Sequence, residues 1–425
     1  TVSVLYWRGG VAMLTSGAAL SATKVAVVGG TVQLALASAP VTPEASGGSR
    51  LRGSTMAVHA GASRDVSVYR LKSNGTMCRV SCGEMPMPLA GHVSCADSDG
   101  RLWTFGGYSS AQMAPQCLCR VTFSEEPCQS TEAAADEDGM SPQDSSSTCN
   151  GGTTRQPGLK PELRPVSVDV FNADSVCVFG CAAVVNDAAV GVSNVWIIWG
   201  GMTTACGSIR LAYTNVVRAF ALSGESPRVE QVRQTGAVPS PRAGAAMTVV
   251  GGALVLAGGR GSSGALNDVF VGAVSRDLED GEIEIHWIQV KCAASFPPRT
   301  GHAIVHAPDT NSLLIVGGSS APAGNDGKWQ QCHDVWIADA ASVCGPRLSL
   351  SADTGLQALT CSFRPTALQL EIATAGSMCY LGTDFGLAVV AQPHDAQSSD
   401  SSSMHSHRHA LITSKKTRFI RWGSA

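Results

Sequence analysis

Long apolar runs, charge and aromatic rings are all scarce in this chain. No stretch approaches the roughly 18 consecutive apolar residues that a membrane-crossing helix needs, so no membrane partner is expected. Charged residues make up 15% and aromatic residues 5% of the chain, a composition far from a coiled coil or a helical bundle. The net charge of −3 gives no general attraction to DNA or to an anionic membrane. There is no C-x-x-C pair. The closest cysteines are Cys78/Cys82, Cys117/Cys119 and Cys177/Cys181, and the total of 15 is odd. They read as scattered thiols in a reducing compartment rather than as a disulfide framework or a zinc site. No charged segment leads into a signal-like apolar core, so a cytoplasmic location is expected. The first residue is Thr1 and not Met, which reads as a segment of a longer protein or an incomplete gene model.

Glycine, by contrast, is abundant at 46 residues, and its placing is regular. Gly200-Gly201, Gly258-Gly259, Gly317-Gly318 and Ala375-Gly376 follow one another at intervals of 58, 59 and 58 residues. Each closes an apolar run, such as Val195 to Trp199 or Ala253 to Ala257. Two earlier diglycines, Gly29-Gly30 and Gly106-Gly107, extend the series at longer intervals of 77 and 94 residues. The excess falls in two segments, near 38–54 and 124–165, with too few large apolar residues to pack. A third such segment lies near 394–409. All three are expected to be disordered insertions between repeats.

Each unit carries further marks. Upstream stands a turn with Arg, Gly or His: Pro88-Leu89-Ala90-Gly91-His92, Pro241-Arg242-Ala243-Gly244 and Pro298-Arg299-Thr300-Gly301-His302, with Arg8-Gly9-Gly10 as a stretched version. In the third unit Phe179-Gly180-Cys181-Ala182 takes this place. Downstream, Asn267-Asp268 or His333-Asp334 opens a second apolar strand. Four short strands per unit, repeated at a fixed period, predict a propeller blade.

The turn with Arg-x-Gly-His, the run ending in Gly-Gly, the Asn-Asp or His-Asp step and the late Trp resemble the kelch repeat, most fully from Pro241 to Ala340. The expected fold is therefore all-β: a kelch-type β-propeller of about six four-stranded blades, one domain over 1–425. The strand-like runs Val2–Trp7 and Arg418–Trp422 are expected to share one blade and close the ring. The glycines are expected to supply positive φ where the second strand turns outward. The Asp or Asn is expected to satisfy backbone N–H groups at the turn, and the Trp to cover apolar surface between blades.

The last unit holds Gly376-Ser377-Met378-Cys379-Tyr380-Leu381-Gly382-Thr383-Asp384-Phe385. Its Cys379, Tyr380, Gly382, Thr383 and Phe385 resemble the final kelch repeat of wybutosine-synthesizing tRNA enzymes, of the leucine carboxyl methyltransferase-like or fused plant type. The opening Leu5-Tyr6-Trp7-Arg8-Gly9-Gly10 is similar to the start of that propeller, although its His and Ser are missing. The resemblance implies a non-catalytic module that positions tRNA or an adjacent catalytic domain. The parent protein would then be an S-adenosylmethionine-dependent tRNA methyltransferase. Without kinship to that family, a protein-interaction scaffold or substrate adaptor is the alternative.

No G-x-G-x-x-G after a strand with a following acidic partner is evident, so no cofactor site is expected in these residues. The five tyrosines offer no ligand context for a kelch copper oxidase. No catalytic residue and no metal site is expected. The alternating His405, His407 and His409 read as a solvated loop, and Lys415, Lys416, Arg418 and Arg421 as a charged edge strand. The tentative binding residues are Arg8, His92, Arg242, Arg299 and His302, which recur at one repeat position. Either they line one propeller face together or they bond to the backbone of neighbouring blades, the reading preferred here.

Overall fold

Alternating side chains in the apolar runs decide how the sheets pack. In a strand buried on both faces, successive residues point to opposite neighbours, so the run is continuously apolar. Val195, Ile197 and Trp199 pack with Leu254, Leu256 and Trp287 in one core. Trp196 and Ile198, the intervening residues, pack with Trp103, Phe105 and Leu118 in another. One strand further on the pattern repeats, with Leu254 and Leu256 facing back and Val255 and Ala257 facing Ile304, Leu313 and Ile315. The cores therefore lie between sheets, as stacked blades require.

The structure is a computed structural model that describes residues 16–21, 24–28, 31–33, 60–71, 77–108, 117–125, 163–172, 177–204, 211–224, 226–320, 330–344, 359–369, 378–380, 387–391, 408–412 and 420–421. Its first sheet contains eight strands: β1 (Ser16–Ser21), β2 (Lys24–Val28), β3 (Thr31–Gln33), β4 (Ala60–Leu71), β5 (Met77–Ala96), β6 (Leu102–Tyr108), β7 (Cys117–Glu125) and β8 (Leu163–Asn172). The long β5 pairs with β4 through its first half and with β6 through its second. Next come β9 (Cys181–Asp187), β10 (Val192–Trp199), β13 (Val217–Ala221) and β14 (Arg228–Glu230), in that antiparallel order, with β11 (Met202–Thr204) and β12 (Leu211–Tyr213) forming a hairpin.

The third blade-like sheet is β16 (Ala246–Val250), β17 (Ala253–Gly261), β18 (Gly264–Arg276) and β19 (Ile283–Ala294), extended by β15 (Val232–Gly236) parallel to β19. The fourth is β20 (Ala303–Ala307), β21 (Ser312–Val316), β24 (Asp334–Asp339) and β26 (Arg364–Gln369), with a hairpin of β22 (Ser319–Ser320) and β23 (Gln330–Gln331). A short helix, α1 (Ala340–Cys344), and β25 (Thr360–Ser362) lie between β24 and β26. The last sheet is β27 (Met378–Tyr380), β28 (Leu387–Ala391), β29 (Arg408–Ile412) and β30 (Ile420–Arg421). The architecture is mostly β and propeller-like, and among the described residues four sheets each hold the four antiparallel strands of a blade.

The diglycines behave as expected. Gly106, Gly107, Gly200, Gly201, Gly258, Gly259, Gly317 and Gly318 all have positive φ. At Gly258 the need is also steric, because a Cβ there would meet the His302 ring at 2.7 Å.

Other expectations are corrected. The insertions fall within sheets, not between repeats. Segment 34–59 joins strands that pair as Thr31↔Ala62 and Val28↔Val66. Segment 126–162 joins β7 to its antiparallel partner β8, and 392–407 joins β28 to β29. The flanking strands also reach into the expected insertions: Ser124 pairs with Arg164, and Arg408 and His409 belong to β29. Ile420–Arg421 pairs with β29, whereas Val2–Trp7 lies outside the described residues. Among the described residues no helix is long and apolar enough to cross a membrane.

Candidate functional site

The Pro-Arg turns stand where one sheet hands over to the next. Pro fixes φ at the turn and has no N–H to satisfy. The following Arg uses its backbone and its side chain in opposite directions. Gly201 N–H donates to the Arg242 carbonyl at 2.8 Å, and Gly259 N–H donates to the Arg299 carbonyl at 2.9 Å. Both donors are second glycines of the preceding sheet. The side chain turns to its own sheet instead. Arg242 Nη1 donates to the Gly258 carbonyl (3.1 Å) and to Asp268 Oδ1, and Nη2 donates to Asp268 Oδ2 (2.9 Å). Arg299 repeats this with the Gly317 carbonyl (3.0 Å) and Asp334 (2.8 and 3.0 Å). Each Nε also donates to the carbonyl two residues upstream, of Ser240 or Pro297.

These are forked charge-assisted pairs with nearly every guanidinium donor occupied. Arg242 is 1% exposed and Arg299 is 0% exposed. Burial raises the Asp334 pKa, but hydrogen bonds from Arg299 and from Trp336 outweigh it and hold the carboxyl below its usual range. The Asp of the step accepts chiefly from a guanidinium, and Asp334 accepts from its own backbone N–H as well. The Arg side chains bind their own sheet, not the neighbour's backbone. Two residues the sequence pattern underplayed, Asp268 and Asp334, are half of each unit, and Arg and Asp 26 and 35 residues apart carry no local signal of pairing.

The turns also form a girdle. Phe179 N–H donates to the Gly91 carbonyl, Gly244 N–H to Phe179, and Gly301 N–H to Gly244, each at 2.8 Å. Gly91, Gly244 and Gly301 have φ of 66°, 61° and 64°, and Phe179 has 58°. In the third unit the position of Arg242 and Arg299 thus belongs to Cys177, two residues earlier than the sequence pattern places it. Its carbonyl takes the Gly107 N–H (2.8 Å), and its thiol donates to the Gly200 carbonyl (3.5 Å).

His92 and His302 each follow a girdle glycine and are 5% exposed. Neither ring makes a well-formed hydrogen bond. Burial pushes the His92 pKa down to about 4. Burial and the adjacent Arg299 guanidinium push His302 down to about 3, against weak support from the Ala257 carbonyl. Both rings are neutral packing groups at physiological pH.

A second polar junction was not foreseen. Gln234 Oε1, on β15, accepts from the indole N–H groups of Trp199 (3.0 Å) and Trp287 (2.9 Å), which stack edge-on across the sheet boundary. Arg8, Gly382, Thr383 and Phe385 lie outside the described residues. Cys379 and Tyr380 belong to β27, where they pair with Ala388 and Leu387. Among the described residues no group of three or more His, Cys, Asp or Glu is placed to hold a metal ion.

Residues 175–348 match the model of the KLHDC2/KLHL20/DRC7 Kelch-repeats domain. No curated protein matches the chain. The matched stretch spans the turns at Cys177, Arg242 and Arg299 and, of the three sheets they open, every blade strand except β26, so residues 175–348 are similar to a kelch-repeat domain and are propeller-like in arrangement.

Proposed function

We propose that the chain is a six-bladed kelch propeller that binds a protein partner through the connections between the second and third strands of its blades. The count of six takes the eight-stranded sheet as two blades sharing β5. It is supported by the neighbours of the first strands: β1 lies beside β5, β5 beside β9, β9 beside β16, β16 beside β20, β20 beside β27 and β27 beside β1.

One observation carries the functional reading. In each blade the second and third strands are antiparallel partners, so they are joined at the same end of the sheet, and the number of residues between them varies widely, from 262–263 in one blade to a stretch that includes 34–59 in another. At the other end the first-to-second turns are short, such as 188–191 and 308–311. Long, variable loops on a rigid scaffold are where recognition concentrates. The charged residues at the blade starts, in contrast, are consumed internally. Kelch domains generally mediate protein–protein contacts, in agreement with the match over 175–348.

The competing proposal is a tRNA-positioning module of a wybutosine-pathway methyltransferase, carried by the residues from Gly376 to Phe385. The two separate in one experiment. Affinity capture with the full chain is expected to recover a stoichiometric protein partner and no enrichment of phenylalanine tRNA. Enrichment of that tRNA, together with loss of wybutosine when the gene is deleted, would overturn the protein-binding reading.

A further inference from the structure

Strand β25 runs parallel to β19 with Lys291↔Thr360 and Cys292↔Cys361 as direct partners. The two sulfurs are 3.1 Å apart, and both are free thiols. Strand β19 is the last of one blade, whereas the chain after β25 passes directly into β26, the outer strand of the next. The pair therefore bridges a blade boundary. Only Cys292 is directly reachable, being half-buried, whereas Cys361 is 4% exposed and lies behind it at a cavity of about 630 Å³ lined with Ala293, Thr310, Asp339 and Arg364. Cys177 and Cys181, in contrast, are buried and donate to the backbone carbonyls of Gly200 and Trp199.

We propose that Cys292 and Cys361 form a thiol–disulfide exchange site for small disulfides of the glutathione class, and that its oxidised form staples two blades together. Cys292 is the attacking group. It is the more exposed of the two sulfurs, and the hydrogen bond between the thiols, in which either sulfur can donate, favours a single thiolate shared by the pair. The Cys292 thiolate attacks one sulfur of the small disulfide, whose S–S bond breaks. One small thiolate leaves and takes up the proton that Cys292 lost. Cys361 then loses its proton, attacks the Cys292 sulfur and expels the second small thiolate, which is protonated in turn. Two protein thiols are oxidised by two electrons, and one small disulfide is reduced to two thiols. The sulfurs need to close by only about 1 Å to reach bonding distance.

The test is incubation of the full chain with glutathione disulfide, followed by alkylation of free thiols and peptide mapping. The expected product is a peptide linking Cys292 to Cys361, with Cys292 consumed roughly tenfold faster than Cys177 or Cys181. The melting temperature is expected to rise by several degrees on oxidation and to return on reduction. The Cys361→Ala variant is expected to retain one glutathione on Cys292. Absence of the linked peptide from the wild-type chain, or equal reactivity of Cys292 and the two buried thiols, overturns the proposal whatever the variant does.

Discussion

The turns that open β9 and β16 share a backbone but differ in chemistry. Both offer a carbonyl to a preceding diglycine, at Cys177 and at Arg242. At the Arg242 turn a guanidinium reaches Gly258 and Asp268. At the Cys177 turn a thiol reaches Gly200, and Val216, 48% exposed, stands where Asp268 stands in the next sheet. Arg and Asp are absent together; the Arg alone would be an unpaired buried charge, and the Asp alone a partly exposed one. The main-chain bonds hold the junction in both cases. The ion pair is an addition to the turn rather than its cause.

This comparison breaks most sharply at Asp268. Its replacement in Asp268→Val leaves the Arg242 guanidinium buried without a counter-charge and is expected to cost about 4 kcal/mol of unfolding free energy in urea. Arg242→Cys leaves a partly exposed carboxylate and is expected to cost about 2 kcal/mol. The double variant restores the Cys177–Val216 pattern, and its loss should fall short of the sum by at least about 1.5 kcal/mol. Strict additivity would contradict the pairing.

Sheets opened by Gly91-His92 and Gly301-His302 differ from those opened by Phe179-Gly180 and Gly244-Ala245 in carrying a buried imidazole. Folded pKa values of about 4 and about 3 lie below the unfolded value of about 6.5. The unfolded chain therefore takes up protons first, and stability is lost as pH falls from about 6.5, with the loss complete below the folded values. Each histidine is expected to contribute about 2 kcal/mol of this loss between pH 7 and pH 5. Urea unfolding of His302→Ala should show a loss across that range smaller than the wild type's by about 2 kcal/mol; an unchanged loss would place the titration elsewhere.

Gln234 serves two indole groups of adjacent sheets at once. Gln234→Leu orphans both N–H groups and is expected to cost about 2 kcal/mol, read by urea unfolding. Gln234→Glu keeps the acceptor and should cost less. The smallest effect is expected at Phe179, the one girdle residue in the left-handed region that is not glycine. Phe179→Gly loses ring contacts with Gly91 but relieves about 1–2 kcal/mol of backbone strain, so a net change under about 1 kcal/mol is expected. A loss of the 3–5 kcal/mol typical of Phe truncation in a core would show that the ring, not the φ angle, governs this position.

Strand order and blade form were legible in the sequence because both are local. An apolar run, a diglycine and a polar-opened strand occur within one repeat, and their period is nearly constant from Gly200 onward. The positive φ of the diglycines followed from residue type alone. The side-chain partners were not legible. Arg242 and Asp268 are both ordinary kelch marks, and only the fold shows that they cancel each other. Cys177 was hidden because its unit has lost the Arg and moved the Gly: Phe179 fills the girdle position, and Gly180 sits where His302 does. The insertions were misplaced by counting diglycines, since that interval cannot tell a loop within a blade from one between blades.

Partner capture by loop-replaced chains tests most directly whether the two ends of the sheets differ in purpose. Residues 205–210 and 321–329 would be replaced by Gly-Ser sequences in one variant. In the other, the fully exposed Leu278, on the β18–β19 turn at the opposite end, would be changed to Ser. The account predicts that the first variant stays folded and loses the partner, whereas Leu278→Ser retains it. Retention by the loop-replaced chain with loss in Leu278→Ser would contradict the account.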